Sequence, residues 1–183
     1  MAIEEEAYPP EVNSGNMYAG PGPDSMRAAA IAWRSLGKEM TALQRTFTRV
    51  LLDLMDAWSG PAATQVIDAA KPFVRWLTDL CEQLSETETQ IREIVSAYEW
   101  ARNEVVAPVQ IYRNRAEAQI LIEYNALGRY NAEIADLDQE YQDFWDEDGE
   151  AMRDYRLAVR TSLAQLASWK SPPRIANKAG LVT

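Results

Sequence analysis

The sequence predicts an all-α protein, an elongated bundle of long antiparallel helices, about five in number. Three observations carry this. Met26, Ala29, Trp33, Leu36, Met40, Leu43, Phe47, Val50 and Leu54 alternate steps of three and four, the stripe of an amphipathic helix. Val66, Ala70, Phe73, Leu77, Leu80, Leu84, Thr87, Ile91, Ile94, Tyr98, Ala101 and Val105 keep the same rhythm beyond a break at Trp58-Ser59-Gly60-Pro61. A third periodic stretch follows Leu127-Gly128-Arg129-Tyr130. Stop and start signals coincide at the first break: Gly60 tolerates a left-handed corner, and Pro61 presets φ for a new first turn. An antiparallel helical hairpin is the expected result.

Taken in order, Tyr8-Pro9-Pro10-Glu11-Val12-Asn13-Ser14-Gly15-Asn16 reads as an extended lead into a short helical turn, because adjacent prolines hold the preceding residue away from the helical region. Gly20-Pro21-Gly22-Pro23-Asp24 forces an irregular loop. It cannot cradle a phosphate through successive backbone N–H groups, since Pro21 and Pro23 have none. Asp24 or Ser25 is the expected N-cap of a helix near 24–57, about 50 Å long, and the next runs near 61–107, about 70 Å at 1.5 Å per residue. Pro72 removes one hydrogen bond within it and is expected to kink it near 68–72. Pro108 ends or bends that helix, and Ile111, Tyr112, Ala116, Ile120 and Leu121 mark a shorter one reaching about Ala126.

Asn125 and Gly128 can both supply a left-handed residue at the second corner. A last helix then runs from Tyr130 through Ile134, Leu137, Tyr141, Trp145, Met152, Tyr155, Val159, Leu163 and Leu166 and ends before Pro172-Pro173. The expected organisation is one helical domain over 1–170 and a loose tail over 171–183.

Composition narrows the function. With 18 basic against 28 acidic residues and a net charge of −10, the surface is wrong for nucleic acid and for anionic membranes. No histidine occurs among the 183 residues, which removes the usual general base, metal ligand and physiological pH switch. The single cysteine, Cys81, stands among Leu77, Leu80 and Leu84, which excludes a disulfide framework and reads as a buried, inert thiol. The acidic start, Glu4-Glu5-Glu6, has neither the basic nor the apolar region of a cleavable secretory signal, and no stretch is apolar for long enough to span a membrane. Asp136, Asp138, Glu140, Asp143, Asp146, Glu147, Asp148, Glu150 and Asp154 crowd one stretch. Tyr141, Trp145 and Met152 keep helical spacing straight through them, so they read as a solvated helix face rather than a calcium loop. Neither catalysis nor a cofactor is expected.

The apolar stripes are the informative feature. Trp33, Leu36, Met40, Leu43, Phe47, Leu51, Leu54, Met55 and Trp58 would each gain roughly 1.5–3 kcal/mol from full burial. A two-helix hairpin shields only one side of each helix. Adjacent apolar positions (Val50 with Leu51, Leu54 with Met55, Trp76 with Leu77) widen the faces enough to accept further helices, from this chain or from a partner.

Tyr8-Pro9-Pro10-Glu11-Val12-Asn13-Ser14, Tyr18-Ala19-Gly20-Pro21-Gly22 and Trp58-Ser59-Gly60-Pro61-Ala62-Ala63 together resemble the N-terminal domain of the mycobacterial PPE proteins, over essentially the whole chain. The chain is most similar to short members that end soon after this domain. The resemblance implies an obligate heterodimer with a small PE protein, whose two helices complete a four-helix bundle on the seam of Trp33, Leu36, Met40, Leu43, Phe47, Leu51, Leu54, Met55, Leu77, Leu80 and Leu84. It also implies export as a folded pair by a type VII secretion system, with Trp58 and Gly60 matching the W-x-G turn beside the partner's secretion signal. A cytosolic EspG-type chaperone would bind the tip formed by Asn125, Ala126, Leu127, Gly128, Arg129 and Tyr130, where Arg129 places a charge the family pattern lacks. A role at the cell surface or in host interaction would follow. The alternative is a self-sufficient helical bundle, a scaffold or a homodimer.

Overall fold

The computed structural model describes residues 7–174, all of whose regular structure is helical. Five α-helices follow in order: α1 (Pro10–Ala19), α2 (Asp24–Ala57), α3 (Pro61–Glu104), α4 (Pro108–Tyr124) and α5 (Asn131–Ala164), with a 3₁₀ turn at Ala126–Gly128 before the last. The described residues pack as two compact units, one comprising residues 7–26 with Glu93–Leu163, the other Arg27–Arg92 with residues 164–174.

Local chemistry sets most boundaries. Pro10 occupies the first turn of α1, where a missing N–H costs nothing, and the Pro9 carbonyl accepts from the Val12 and Asn13 N–H groups at 2.9 and 3.3 Å. The prolines therefore start a ten-residue helix, longer than the single turn expected. Pro61 opens α3 in the same way, after Gly60 at φ +108°. The Gly60 carbonyl accepts the Thr64 N–H at 3.2 Å, so the corner residue caps the new helix. Helix α3 runs on through Pro72 and stops at Glu104, three residues short of the expected end. Helix α5 stops at Ala164, so Leu166 lies beyond it and the residues before Pro172-Pro173 are not helical.

In the Arg27–Arg92 unit, α2 and α3 form the antiparallel hairpin. Residue numbers fall on one helix as they rise on the other: Arg34 pairs with Glu88, the Gln44 amide donates to Thr78 Oγ1 at 3.3 Å, and the Phe47 and Phe73 rings meet edge-on at 5.1 Å. Arg34 reaches Glu88 Oε1 with both Nε and Nη2, at 3.1 and 2.6 Å. Those hydrogen bonds hold the Glu88 carboxyl below its ordinary range. Leu77 and Leu84 are buried along the contact line with Ala63 and Ala70. At Gly37 a Cβ would stand 3.8 Å from the Leu84 Cβ, ordinary packing distance.

In the other unit, Met17, Ala101, Val105 and Ala151 form a buried cluster with Tyr98, Met152 and Tyr155 packed against it. Its most constrained point is Val106, in the break between α3 and α4. Neither backbone group of this residue has a helical partner, and burial forbids leaving them to water. Ser14 of α1 donates its hydroxyl to the Val106 carbonyl at 2.5 Å, and Asp148 Oδ1 of α5 accepts the Val106 N–H at 2.8 Å. One non-helical residue thus ties three helices together. The acidic stretch of α5 is accordingly not a uniformly solvated face, because Asp148 within it is fully buried.

Arg115 of α4 fixes the register on α5. It donates to Asp138 at 3.0 Å and to the Leu137 carbonyl at 2.9 Å, and its guanidinium lies 4.2 Å above the Tyr141 ring. Tyr141 in turn donates its hydroxyl to Glu11 at 2.9 Å, and burial together with that carboxylate pushes the phenol up to about 12. Glu11, last of the Pro-Pro-Glu triplet, is therefore a structural acceptor.

Candidate functional site

Helical residues advance by 100°, which sorts the hairpin's side chains into two open faces on either side of its contact line. One face is polar. Arg34, Lys38, Thr41, Arg45, Ser85 and Glu88 line a groove of about 430 Å³, into which Cys81 also opens, half-buried and free of any disulfide. The expectation of a fully buried thiol is not met, since Cys81 sits one step off the Leu77–Leu84 row.

The other face is apolar and largely uncovered. Leu36, Leu43 and Val50 recur at steps of seven on its outer edge, and are 41, 51 and 58 % exposed. Met40, Phe47 and Leu54 lie half-buried inside them, as do Phe73 and Leu80 of α3, with Phe47 against Phe73. Phe73 also stacks on Trp76 at 5.4 Å. A contiguous apolar strip of this extent is unusual on a chain that works alone.

The expected partner residues thus divide in two. Leu36, Leu43 and Met55 are exposed; Trp33, Met40, Phe47, Leu51, Leu54 and Leu80 are half-buried with a side still open. Leu77 and Leu84, only 1 and 3 % exposed, already serve the contact between α2 and α3. Periodicity alone cannot make this distinction, because all lie on one broad stripe. Trp58 is exposed at the corner, its N–H donated to the Leu54 carbonyl at 2.9 Å, and Gly60 adopts the φ of +108° that an L side chain resists.

The second candidate surface is the corner between α4 and α5. Asn125 organises it. Its carbonyl accepts the Gly128 N–H at 3.3 Å, its Oδ1 accepts the Tyr130 N–H at 2.8 Å, and its Nδ2 donates to Asn131 at 2.7 Å. Of the two left-handed candidates the sequence offered, Gly128 adopts that conformation at φ 75° and Asn125, at φ −75°, does not. Leu127 adopts it too, at φ 62°. Leu127 is also completely exposed, at 103 %. A branched residue held at positive φ with its side chain in water is strained and unburied at once, so packing does not account for it. Arg129 is also exposed and lies over the Tyr130 ring at 5.8 Å. Val109, Tyr112, Ile120 and Tyr124 are exposed along α4, although Tyr112 and Ile120 belong to the apolar spacing that predicts this helix.

Among the described residues, no group of three or more Asp, Glu or Cys side chains is arranged to hold a metal ion, and no helix is long and apolar enough to cross a membrane.

The pattern of the PPE family matches residues 6–167. The chain is 70 % identical over 177 residues to the PPE family protein PPE41 of Mycobacterium tuberculosis, covering 97 % of this chain and 91 % of that one. It is 38 % identical to PPE61 and 37 % identical to PPE18 of the same organism. It spans under half the length of those two, 45 and 46 %.

Proposed function

The chain belongs to the PPE family, and on that premise we propose that it is one half of a heterodimer with a PE protein, carried as a folded pair through a type VII secretion system and acting at the cell surface or on a host. The observation that carries this reading is the open apolar face of α2 and α3. Half-exposed Leu36, Leu43 and Val50 need cover, and a partner's two-helix hairpin laid there would turn the pair into a four-helix bundle. No catalytic role is proposed: the chain lacks histidine, and a heterodimer of this kind calls for none.

Trp58 and Gly60 form the turn beside the partner's secretion signal in this reading. The corner from Asn125 to Tyr130 is the landing site of an EspG-type chaperone, with Leu127 as the anchor that enters its groove. The alternative, a self-sufficient scaffold or homodimer, must leave the apolar face open or cover it with a second copy.

Expression separates the two. Produced alone, the chain is expected to aggregate; co-produced with a PE protein, it should elute as a soluble one-to-one complex. An isolated chain that stays monomeric and melts cooperatively overturns the heterodimer reading, and a stable homodimer favours the alternative.

A further inference from the structure

The segment after α5 returns to the hairpin and lies on its apolar face. The Trp169 ring stacks on Trp33, 5.8 Å away and within 7° of parallel. Trp76 Nε1–H donates to the Lys170 carbonyl at 2.8 Å, and Gln83 Nε2–H donates to the Ser168 carbonyl at 3.4 Å. The three receiving residues share a side: Trp33 is seven residues from Met40 and fourteen from Phe47 on α2, while Trp76 and Gln83 lie seven apart on α3, on the flank that carries Phe73 and Leu80. None of them borders the polar groove except Trp33, which spans both edges.

The attachment is shallow. Beyond Ala164 the described chain has no helical hydrogen bonding, and its recorded holds are one ring stack and two side-chain bonds to main-chain carbonyls. Trp169 keeps half its surface in water. A segment fixed in this way covers apolar surface yet leaves readily, since each carbonyl it releases is rehydrated at once.

We propose that Ser168–Lys170 is a self-masking strap: it covers the middle of the partner face while the chain is alone, and the incoming helices of the PE protein displace it. This rests on the heterodimer reading for the identity of the competitor. The masking itself does not. The strap's cost to pairing is a reduction of the fraction of chains competent to bind, so removing it strengthens pairing.

The sign of one substitution tests this. Trp169→Ala is at a surface position and leaves both helices intact. For a PE protein that pairs with the wild-type chain, the variant should bind roughly three- to tenfold more tightly, as follows if the strap is seated in about 70–90 % of free chains. Unchanged or weaker binding overturns the strap, because an ordinary interface residue loses affinity when truncated. In the wild-type pair, the ¹⁹F resonance of 5-fluorotryptophan at position 169, assigned with Trp169→Phe, should leave its stacked position; a resonance that stays put also overturns it. If no PE protein binds either chain, the heterodimer reading fails, and the strap is judged alone by anilinonaphthalenesulfonate emission from the free chain. Brighter emission from Trp169→Ala supports masking, and equal emission refutes it.

Discussion

Asp148→Asn isolates a single buried carboxyl, and its effect on stability should depend on pH with a definite sign. Asp148 has no solvent exposure, and its Oδ2 has no hydrogen-bond partner within the structure. Desolvation is the main force raising its pKa from 3.8 to about 6, helped by Glu147 and Glu11 and opposed by the backbone at Val106 and Ser14. At 1.36 kcal/mol per pH unit, that displacement weakens the fold by about 3 kcal/mol at pH 7.5 relative to an unshifted carboxyl. The folded-state value is the higher one, so the stability is fully present below about pH 4 and is lost as pH rises through about 6.

Asparagine keeps an oxygen for the Val106 N–H and carries no charge at any pH. The difference in unfolding free energy between Asp148→Asn and wild type should therefore widen by about 3 kcal/mol between pH 3.5 and 7.5, half of it by about pH 5 and most of it by about pH 6. Urea titrations of both proteins at intervals across this range, in whatever paired state each is purified, measure it. The other carboxylates are common to both chains and cancel in the difference. A difference flat with pH would mean that Asp148 reaches water or a partner, and the account of the Val106 junction would be wrong.

Other consequences are as direct. Leu43→Asp, at a half-exposed position, leaves the contact between α2 and α3 untouched yet should prevent capture of a co-produced PE protein in a pull-down, because a charge would be buried there only in the pair. Leu77→Ala removes a buried side chain between α2 and α3 and should cost about 2–5 kcal/mol in denaturant titration of the purified pair. Leu127→Gly relieves a strained φ and should raise stability by about 1 kcal/mol while weakening an EspG-type chaperone in a binding titration; a loss of stability would contradict the strain. Arg34→Met, which removes the half-exposed partner of Glu88 but leaves Arg92 on the same carboxylate, should shift the melting temperature only slightly, and less still in high salt.

The helices were legible because helix formation is local. Pro10, Pro61 and Pro108 at first turns set three helix starts, and apolar spacing with Gly60 at positive φ set the long helices and the hairpin corner from the chain's own chemistry, though the first helix proved longer than its short lead suggested. The breadth of the stripe on α2 also announced surface in need of cover. Three matters lay beyond that reach. Leu77 and Leu84 could not be told from Leu36 and Leu43 until α3 was laid against α2, since burial belongs to a pair of helices and periodicity to one. Asp148 read as one more solvated acid because its partner, the Val106 N–H, lies 42 residues away at a junction formed only when α1 and α5 close on it. The residues around Trp169 read as the end of the last helix, yet α5 stops at Ala164 and what holds the segment beyond it are Trp33, Trp76 and Gln83, far off in sequence. Interactions closed by the chain's immediate neighbours could be read from its letters, whereas those closed across large separations exist only once the tertiary fold has brought the groups together.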